Sequence, residues 1–241
     1  MVTAKSLHEL DQFGMGDGPG VAQKAAQHEA HRLAHRRQLE HAWIPIRQLR
    51  ARHRRQILDH LVQLDEHDRY LRFGIHAPLE QLSRYTAAID FKRDEIYGIF
   101  NSHLKLVAMA HLADLGGQHH PACQDGKAME FGVSVLPDAR GLGLGQRLFD
   151  HAVVHARNRG AKAIVIHALT ENRPMLKIAT RAGAALETSG ADAEAWLSLK
   201  PDTLATHLES TARDMGAEVI FSIKARVLRV RQWLQMLVSA W

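Results

Sequence analysis

The residues of this 241-residue chain that are best suited to chemistry form one glycine-rich run: Arg140, Gly141, Leu142, Gly143, Leu144, Gly145 and Gln146. Residues 131–136 before it are apolar and predict a buried strand, and residues 146–159 after it predict an amphipathic helix. The first turn of a helix offers unpaired N–H groups and the positive end of the dipole, and glycines let an anion come close. The run is therefore expected to hold a phosphate or pyrophosphate.

Two familiar phosphate-binding loops do not fit this run. A Walker A loop ends in Gly-Lys-Ser/Thr, whereas Gln146 follows Gly145 here. A dinucleotide-binding loop that starts at Gly141 needs its third glycine where Gln146 stands, and no acidic residue closes a second strand about twenty residues on. The pattern Arg/Gln-x-x-Gly-x-Gly/Ala does fit, at Arg140, Gly143 and Gly145. For the glycines alone, a tight turn without a ligand is the alternative.

A second block of sequence follows the predicted helix. Residues 162–170 are rich in β-branched side chains and predict another buried strand. Asn172, Pro174 and Met175 come next, with the proline near a first helical turn, where its missing N–H costs nothing. Gly183 is expected to end this helix.

Together the two blocks resemble the GNAT superfamily of N-acetyltransferases, and the resemblance covers about residues 42–200. The glycine run is similar to the pyrophosphate loop of that family, and Asn172-x-x-Met175-x-x-Ile178 is similar to a second motif beside the pantetheine and thiol of CoA. Residues 64–74 also resemble a region of bacterial members near the acceptor side. The resemblance implies an α/β chain, more fully an α+β mixed sheet that is mostly antiparallel, with splayed fourth and fifth strands and flanking helices.

The same resemblance implies acetyl-CoA as co-substrate and direct transfer of its acetyl group to a primary amine, on either a small molecule or a protein. The pantetheine would pair with the fourth strand at Val133 and Val135, and the amides of residues 141–146 would hold the pyrophosphate. A backbone N–H of this strand could also stabilise the tetrahedral oxyanion. Asn172 and Met175 would lie beside the pantetheine arm.

Attack on a thioester requires a neutral amine, so a base must remove a proton. Glu130 at the start of the fourth strand is the first candidate, with an exposed strand-end carboxylate as the alternative. His167 is the second candidate, with a buried, hydrogen-bonded histidine as its alternative, and His111 is the third. Ala179 stands where many members of the family carry a tyrosine that protonates the leaving thiolate. A non-catalytic acyl-CoA-binding module therefore stays open as a second function.

The elements that must position these residues can be placed from sequence periodicity. The predicted strands cover residues 44–49, 95–100, 104–112, 128–136, 162–170, 184–188 and 194–200. The predicted helices cover residues 52–64, 78–89 and 146–159, and a fourth has Pro174 near its first turn and ends at Gly183. Three regions result: a polar, mobile tail at 1–40, the acetyltransferase domain at 41–200 and a helical extension at 201–241.

The two ends of the chain carry separate patterns. Residues 32–55 hold eight arginines and one glutamate, which predicts either contact with nucleic acid or an acidic partner, or a solvated helix face with a disordered tail. The interleaved aromatic pattern that stacks bases is missing, since Trp43 stands alone there, so the sequence gives no clear sign of nucleic-acid binding. The extension has a heptad seam flanked by basic residues: Ile220, Ile223, Val227, Val230, Leu234, Leu237 and Trp241. It predicts a helix that packs on its own domain, a homodimer seam, or a helix on a membrane surface.

Composition and the order of apolar residues indicate the cellular compartment and whether a metal is expected. The net charge is +5, and a single cysteine suits a reducing cytoplasm. The first residues lack the apolar core of a secretory signal, and no apolar run approaches the length of a membrane span. His119, His120 and Cys123 have no second ligand cluster at zinc spacing, so no metal is expected.

Overall fold

The computed structural model of the chain describes residues 45–116 and 126–199. The predicted tail at 1–40, the predicted extension at 201–241 and the loop containing His119, His120 and Cys123 lie outside the described residues. Within the described ranges, no helix is both long enough and apolar enough to cross a bilayer.

Seven strands join in one sheet: β1 (Ile46–Leu49), β2 (Glu95–Phe100), β3 (Leu106–Asp114), β4 (Ala128–Val135), β5 (Ala163–Leu169), β6 (Ala185–Ser189) and β7 (Asp192–Ser198). The described α-helices are α1 (Arg54–Val62), α2 (Glu66–Phe73), α3 (Leu79–Ala88), α4 (Leu144–Asn158) and α5 (Arg173–Arg181). Short 3-10 turns precede α1 and follow β4. Strands and helices alternate in the predicted order, apart from one additional helix, α2.

The strand order across the sheet is β1-β2-β3-β4-β5-β7-β6. Neighbouring strands are antiparallel, except for the parallel pair β4 and β5. A connection between parallel neighbours needs a crossover, and α4 supplies it. The prediction of an α/β chain with a mixed, mostly antiparallel sheet is therefore confirmed.

Helices cover the sheet because each has one apolar side. The buried side of α1 includes Ile57 and Leu61, which belong with Leu82 of α3 to one cluster of buried hydrophobic side chains. On α4, Leu148 and Phe149 are fully buried, and the Phe149 ring meets Phe131 of β4 edge-on at a centroid distance of 5.0 Å. Spacings of three and four residues place such side chains on one helix face, as the sequence predicted.

Three details differ from the sequence predictions or were left open by them. Strand β3 begins at Leu106 rather than residue 104, because Leu104 takes a left-handed φ of 60° and the Asn101 side chain accepts from the amides of His103 and Lys105. The loop that joins β2 to β3 therefore spans residues 101–105, rather than the residues 101–103 left between the two predicted strands. The last two strands form a closing hairpin whose order in the sheet was not predicted, and the structure places β7 rather than β6 beside β5.

Helix α2 is the third difference, since no element was predicted between residues 65 and 74. Its start is capped by Asp65, whose Oδ1 accepts from the backbone N–H of Asp68 at 2.7 Å. Its end is the left-handed Gly74, with a φ of 71°. An aspartate cap and a terminal glycine are ordinary helix signals. The sequence therefore contained this helix, but its eight residues bury none of their side chains completely.

Strands β4 and β5 separate part-way along their length. Their register pairs Ala128 with Ala163, and the last pair is Glu130 with Val165. Strand β4 nevertheless continues to Val135, still paired with β3, while β5 continues to Leu169, paired with β7. The edge of β4 that faces β5 is consequently open beyond Glu130, and this is the splay that was predicted.

Candidate active site

A cleft of about 850 Å³ opens beside the splay and contains most of the predicted cofactor residues. We call it the cofactor cleft. The predicted residues that line it are Val133, Val135, Arg140, Gly141, Gly143, Leu144, Gly145, Gln146, Asn172 and Met175. Leu142, also predicted, is absent from its described lining. One wall therefore comes from the end of β4 and the glycine loop, and the other from α2 and the start of α5.

The glycine loop has a geometry that only glycine adopts easily. Gly141 and Gly143 have φ values of 77° and 70°, and Gly143 is the N-cap residue immediately before α4. A Cβ on either glycine would meet no atom within 4 Å, so backbone conformation rather than crowding favours glycine there. Gly145 differs, because a Cβ would lie 3.2 Å from the Ile178 side chain of α5.

The first turn of α4 supplies donors to the cofactor cleft. The first N–H of α4 to reach back along the helix is that of Arg147, which donates to the Gly143 carbonyl at 3.0 Å. The three N–H groups before it, those of residues 144–146, have no acceptor within the helix, because the chain before them is not helical. No acidic residue occupies this turn. The arrangement suits an anion such as pyrophosphate.

Arg140 is held in place by two contacts. Its Nε donates to the Val135 carbonyl at 3.2 Å, and its guanidinium forms an ion pair with Asp68 of α2. The Asp68 side chain is largely buried, so the pair is only partly screened by water. The loop that precedes α4 is thus tied to α2 across the cofactor cleft.

Asn172 makes a second connection to α2. Its Oδ1 accepts from the backbone N–H of Met175 at 3.2 Å and caps α5, while its Nδ2 donates to the Leu71 carbonyl at 3.2 Å. Pro174 occupies the first turn, as predicted. The asparagine therefore has a structural role in forming the cleft, whatever ligand the cleft holds.

Basic side chains outnumber acidic ones around the cofactor cleft. Its described lining contains five arginines and lysines against the two carboxylates Asp68 and Glu171: Arg72, Arg140, Arg173, Lys177 and Arg181. A cleft with a surplus of cations at a helix amino terminus attracts a multiply charged anion. The charge of the cleft thus agrees with the donors of the glycine loop.

The end of β4 is anchored to α1 by a buried hydrogen-bonded pair. His60 Nε2 lies 2.8 Å from Ser134 Oγ, and His60 Nδ1 lies 3.0 Å from the Leu106 carbonyl. A carbonyl only accepts, so Nδ1 carries the ring proton and Nε2 accepts from the serine hydroxyl. Burial lowers the pKa of His60 to about 4. The sequence analysis did not single out either residue.

A smaller cleft of about 390 Å³ contains the two predicted catalytic residues, Glu130 and His167. We call it the acceptor cleft. Its walls also include three carboxylates of the closing hairpin: Glu187, Asp192 and Glu194. Leu71 and Arg72 of α2 line both clefts, so the two meet at this helix. Glu130 is half-buried at the point where β4 and β5 separate.

His167 is not the buried histidine that was one of the two alternatives. Its side chain is 53% exposed, and Nδ1 lies 3.7 Å from Glu194 Oε2 of the neighbouring strand. The position follows Val165, the last residue of β5 that pairs with β4. Loss of that neighbour exposes the ring to the acceptor cleft.

His111 lies in a separate chain of polar contacts. Its Nδ1 is 2.6 Å from Tyr85 Oη, and its Nε2 is 3.2 Å from Asp94 Oδ2. Burial, together with the positive charge of Arg72, lowers the pKa of His111, although Asp94 opposes this shift. His111 does not line either of the two clefts. The structure therefore places this third base candidate behind the site.

Ala179, at the position of the family's tyrosine, is 1% exposed. It lies on the buried side of α5 and is not part of the described lining of the cofactor cleft. Its neighbour Ile178 does line the cleft. A side chain at position 179 therefore points into the core of this protein rather than toward a leaving thiolate.

The sheet order, the splay and the glycine loop at the start of α4 define the class of protein, an acyltransferase fold of the GNAT type. Residues 58–184, more than half of the chain, match the acetyltransferase (GNAT) family model. The chain belongs to the GNAT acetyltransferase family.

Solved structures with the same fold cover about two thirds of this chain. The GNAT domain of S. lividans PAT has a TM-score of 0.54 at 19% identity, over 64% of this chain and 89% of that domain. A GNAT-family acetyltransferase from Staphylococcus aureus Mu50 has a TM-score of 0.51 at 12% identity, over 65% and 99%. An N-acetyltransferase from the same organism has a TM-score of 0.50 at 15% identity, over 66% and 100%. Among curated proteins, none matches the sequence significantly.

Proposed function

We propose that this protein is an N-acetyltransferase that transfers the acetyl group of acetyl-CoA to a primary amine by direct attack in a ternary complex. The observation that carries the proposal is the open edge of β4 beyond Glu130, which leads directly to the glycine loop. An extended pantetheine arm can pair with the backbone at Val133 and Val135, as an added strand would. The pyrophosphate then reaches the start of α4.

The charges around the cofactor cleft support this placement of CoA. The unpaired N–H groups at the start of α4 bind the pyrophosphate of CoA. The cleft also presents Arg173, Lys177 and Arg181, whose positive charges suit the 3′-phosphate of CoA. Arg140 is positioned by Asp68 and Val135 before any ligand arrives. Such a preorganised anion site loses little entropy when CoA binds.

Glu130 is the proposed general base. It lines the acceptor cleft at the end of the β4–β5 pairing, which is where an amine would meet the thioester. The amine nitrogen attacks the carbonyl carbon, its proton passes to the carboxylate directly or through water, and the C–S bond then breaks. His167, also in the acceptor cleft, is the second proposed base. Most of the acceleration comes from alignment of the two substrates.

A binding experiment tests the cofactor site first. Acetyl-CoA is titrated into the wild-type protein and into Gly143→Glu by calorimetry, and we expect binding to the wild type alone. Gly160→Glu is the matched control, because Gly160 has a similar φ of 72° but follows the opposite end of α4. Binding that survives Gly143→Glu, or fails in the control as well, would contradict the assigned loop.

A turnover experiment tests the reaction. Release of free CoA thiol is measured with a panel of small amines and lysine-containing peptides, because the acceptor is either a small-molecule or a protein amine. Glu130→Gln should retain acetyl-CoA binding and lose turnover. Acetyl-CoA binding without turnover of any amine would instead indicate the non-catalytic acyl-CoA-binding module.

A further inference from the structure

Arg72 is the charged residue at which the two clefts meet. It lines both the cofactor cleft and the acceptor cleft, and the only other described residue that does so is its neighbour Leu71. Acetyl transfer joins a group held in one cleft to a nucleophile held in the other. The reacting carbonyl must therefore lie near this part of α2.

The Arg72 guanidinium lies directly on strand β4. A Cβ built on Gly132 would overlap the guanidinium, so glycine at this position makes room for it. Gly132 follows Glu130, the last residue of β4 that pairs with β5, and it belongs to the open part of the strand. The cation is thus placed on the strand segment beside which the thioester would lie.

A directional chain of contacts holds Arg72 from behind. Arg72 donates to Tyr85 Oη at 3.4 Å, and Tyr85 Oη is 2.6 Å from His111 Nδ1. Arg72 can only donate, so the Tyr85 oxygen accepts from it, and His111 Nδ1 is the described partner left for the tyrosine hydroxyl proton. The proton of the neutral ring is then on Nε2, which lies 3.2 Å from a carboxylate oxygen of Asp94 but is not aligned for a hydrogen bond. Nδ1 then accepts from the tyrosine hydroxyl, whose oxygen is left to accept from Arg72. The contacts orient the guanidinium without neutralising it.

The guanidinium keeps donors available for a ligand. It has five N–H donors in a planar fork, and the contact with Tyr85 uses one of them. Its other assigned contact is with the ring of Phe73, at 5.2 Å from the ring centroid. Within residues 45–116 and 126–199, no carboxylate forms an ion pair with it.

We propose that Arg72 is a catalytic residue that donates a hydrogen bond to the thioester oxygen as it becomes the tetrahedral oxyanion. This assignment rests on the proposed function. The amine nitrogen bonds to the carbonyl carbon and the π electrons move onto the oxygen, where Arg72 stabilises the negative charge. When the C=O bond re-forms, the C–S bond breaks and its electron pair leaves with the sulfur. Arg72 transfers no proton, and the amine proton goes to the base.

In the same proposal Tyr85 is a positioning residue. It lines neither described cleft and acts by fixing the direction of the Arg72 side chain. Tyr85→Phe keeps the edge-on ring contact with Phe73, whose centroid is 5.2 Å away, and removes only the hydroxyl. The substitution removes the acceptor that orients the guanidinium and should lower kcat about five-fold, since the 3.4 Å hydrogen bond is long.

The experiment compares Arg72→Lys and Arg72→Met with the wild-type protein. Thiol release is followed with the best amine of the panel and also without amine, because slow hydrolysis of acetyl-CoA passes through the same kind of oxyanion. We expect kcat to fall about 10²-fold in both reactions for both variants, as for loss of an oxyanion donor. The Kd of acetyl-CoA should stay within about three-fold, since its phosphates are held elsewhere. Arg84→Lys and Arg84→Met are matched controls, because Arg84 on α3 is 74% exposed.

The possible outcomes separate the two proposals. An active wild type whose Arg72 variants keep kcat within about three-fold overturns the role of Arg72 and leaves the proposed function intact. Variants that lose acetyl-CoA binding in proportion to kcat also overturn it, because the arginine would then bind the ground state. A wild type that binds acetyl-CoA but releases no thiol overturns both proposals. If the Arg72 variants fail to fold, Tyr85→Phe tests the proposal instead. An unchanged kcat in Tyr85→Phe would then refute the proposal that Arg72, oriented by Tyr85, stabilises the oxyanion.

Discussion

Protonation of His60 is predicted to destabilise the domain as the pH falls. The ring is fully buried and uses both nitrogens, one toward the Leu106 carbonyl and the other toward the Ser134 hydroxyl. A second proton on Nε2 would turn the acceptor of the serine bond into a donor and would place a charge inside the core. The folded state therefore favours the neutral ring.

The size of this effect follows from the pKa of His60. Burial lowers it to about 4 from the ordinary value of 6.5, which the unfolded chain keeps. Between pH 6.5 and about pH 4 the unfolded state binds more protons at His60 than the folded state does. The free energy of unfolding therefore does not change with pH through His60 above its unfolded pKa, and it decreases as the pH falls toward the folded pKa. The whole effect is about 3 kcal/mol, and about 2 kcal/mol of it is lost by about pH 5.

Urea unfolding at about pH 7 and about pH 5 tests this reasoning. Between these conditions the wild type should lose about 2 kcal/mol more unfolding free energy than His60→Gln, whose side chain cannot titrate. His111 is present in both proteins, so its own contribution cancels from the comparison. His103→Gln, at an exposed histidine, should lose as much as the wild type. Equal losses in the wild type and His60→Gln would refute the assignment.

Three further substitutions probe the elements around the site. Asn172→Ala removes the cap from the Met175 amide and the bond to α2, so the unfolding free energy in urea should fall by about 1 kcal/mol and the Kd of acetyl-CoA measured by calorimetry should rise. Asp65→Ala removes the cap of α2 and should cost about 1 kcal/mol in the same urea experiment. Phe149→Ala leaves a cavity against Phe131 and should cost about 3–5 kcal/mol, read from thermal unfolding.

Matched variants show whether these losses have the stated causes. Asn172→Asp keeps a capping oxygen but loses the donor toward α2, so its stability should exceed that of Asn172→Ala. Leu79→Ala, at a side chain that is 59% exposed, should change stability by less than about 0.5 kcal/mol. If Leu79→Ala and Phe149→Ala melted at the same temperature, the described packing of α4 would be contradicted.

The cofactor cleft could be predicted from sequence because its parts are local. The glycine run, the strand before it and the helix after it are contiguous, and each has its own periodicity or backbone requirement. The same holds for Asn172 and Pro174, which act within one helical turn. Contiguous signals specify a strand–loop–helix unit without knowledge of the remaining fold.

The contacts that join distant segments could not be predicted in this way. Asp68 pairs with Arg140 and Leu71 accepts from Asn172, yet neither α2 residue carries a pattern that names its partner. The exposure of His167 depends on where β5 parts from β4, which is a property of pairing rather than of the strand sequence. The position of β7 beside β5 could not be predicted either. Side chains alternate between the two faces of the sheet in the same way whichever strand of the hairpin lies next to β5.

Helix α2 has a consequence for how the domain opens. At eight residues it is too short to persist alone in water, so its order depends on the contacts of Asp68 with Arg140 and of Leu71 with Asn172. Both contacts close across the cofactor cleft. A ligand that binds only when the cleft is ordered stabilises that ordered state. Local unfolding of α2 must then cost more free energy when the ligand is bound than when it is absent. The backbone amides of this helix thereby become a hydrogen-exchange reporter of cleft occupancy.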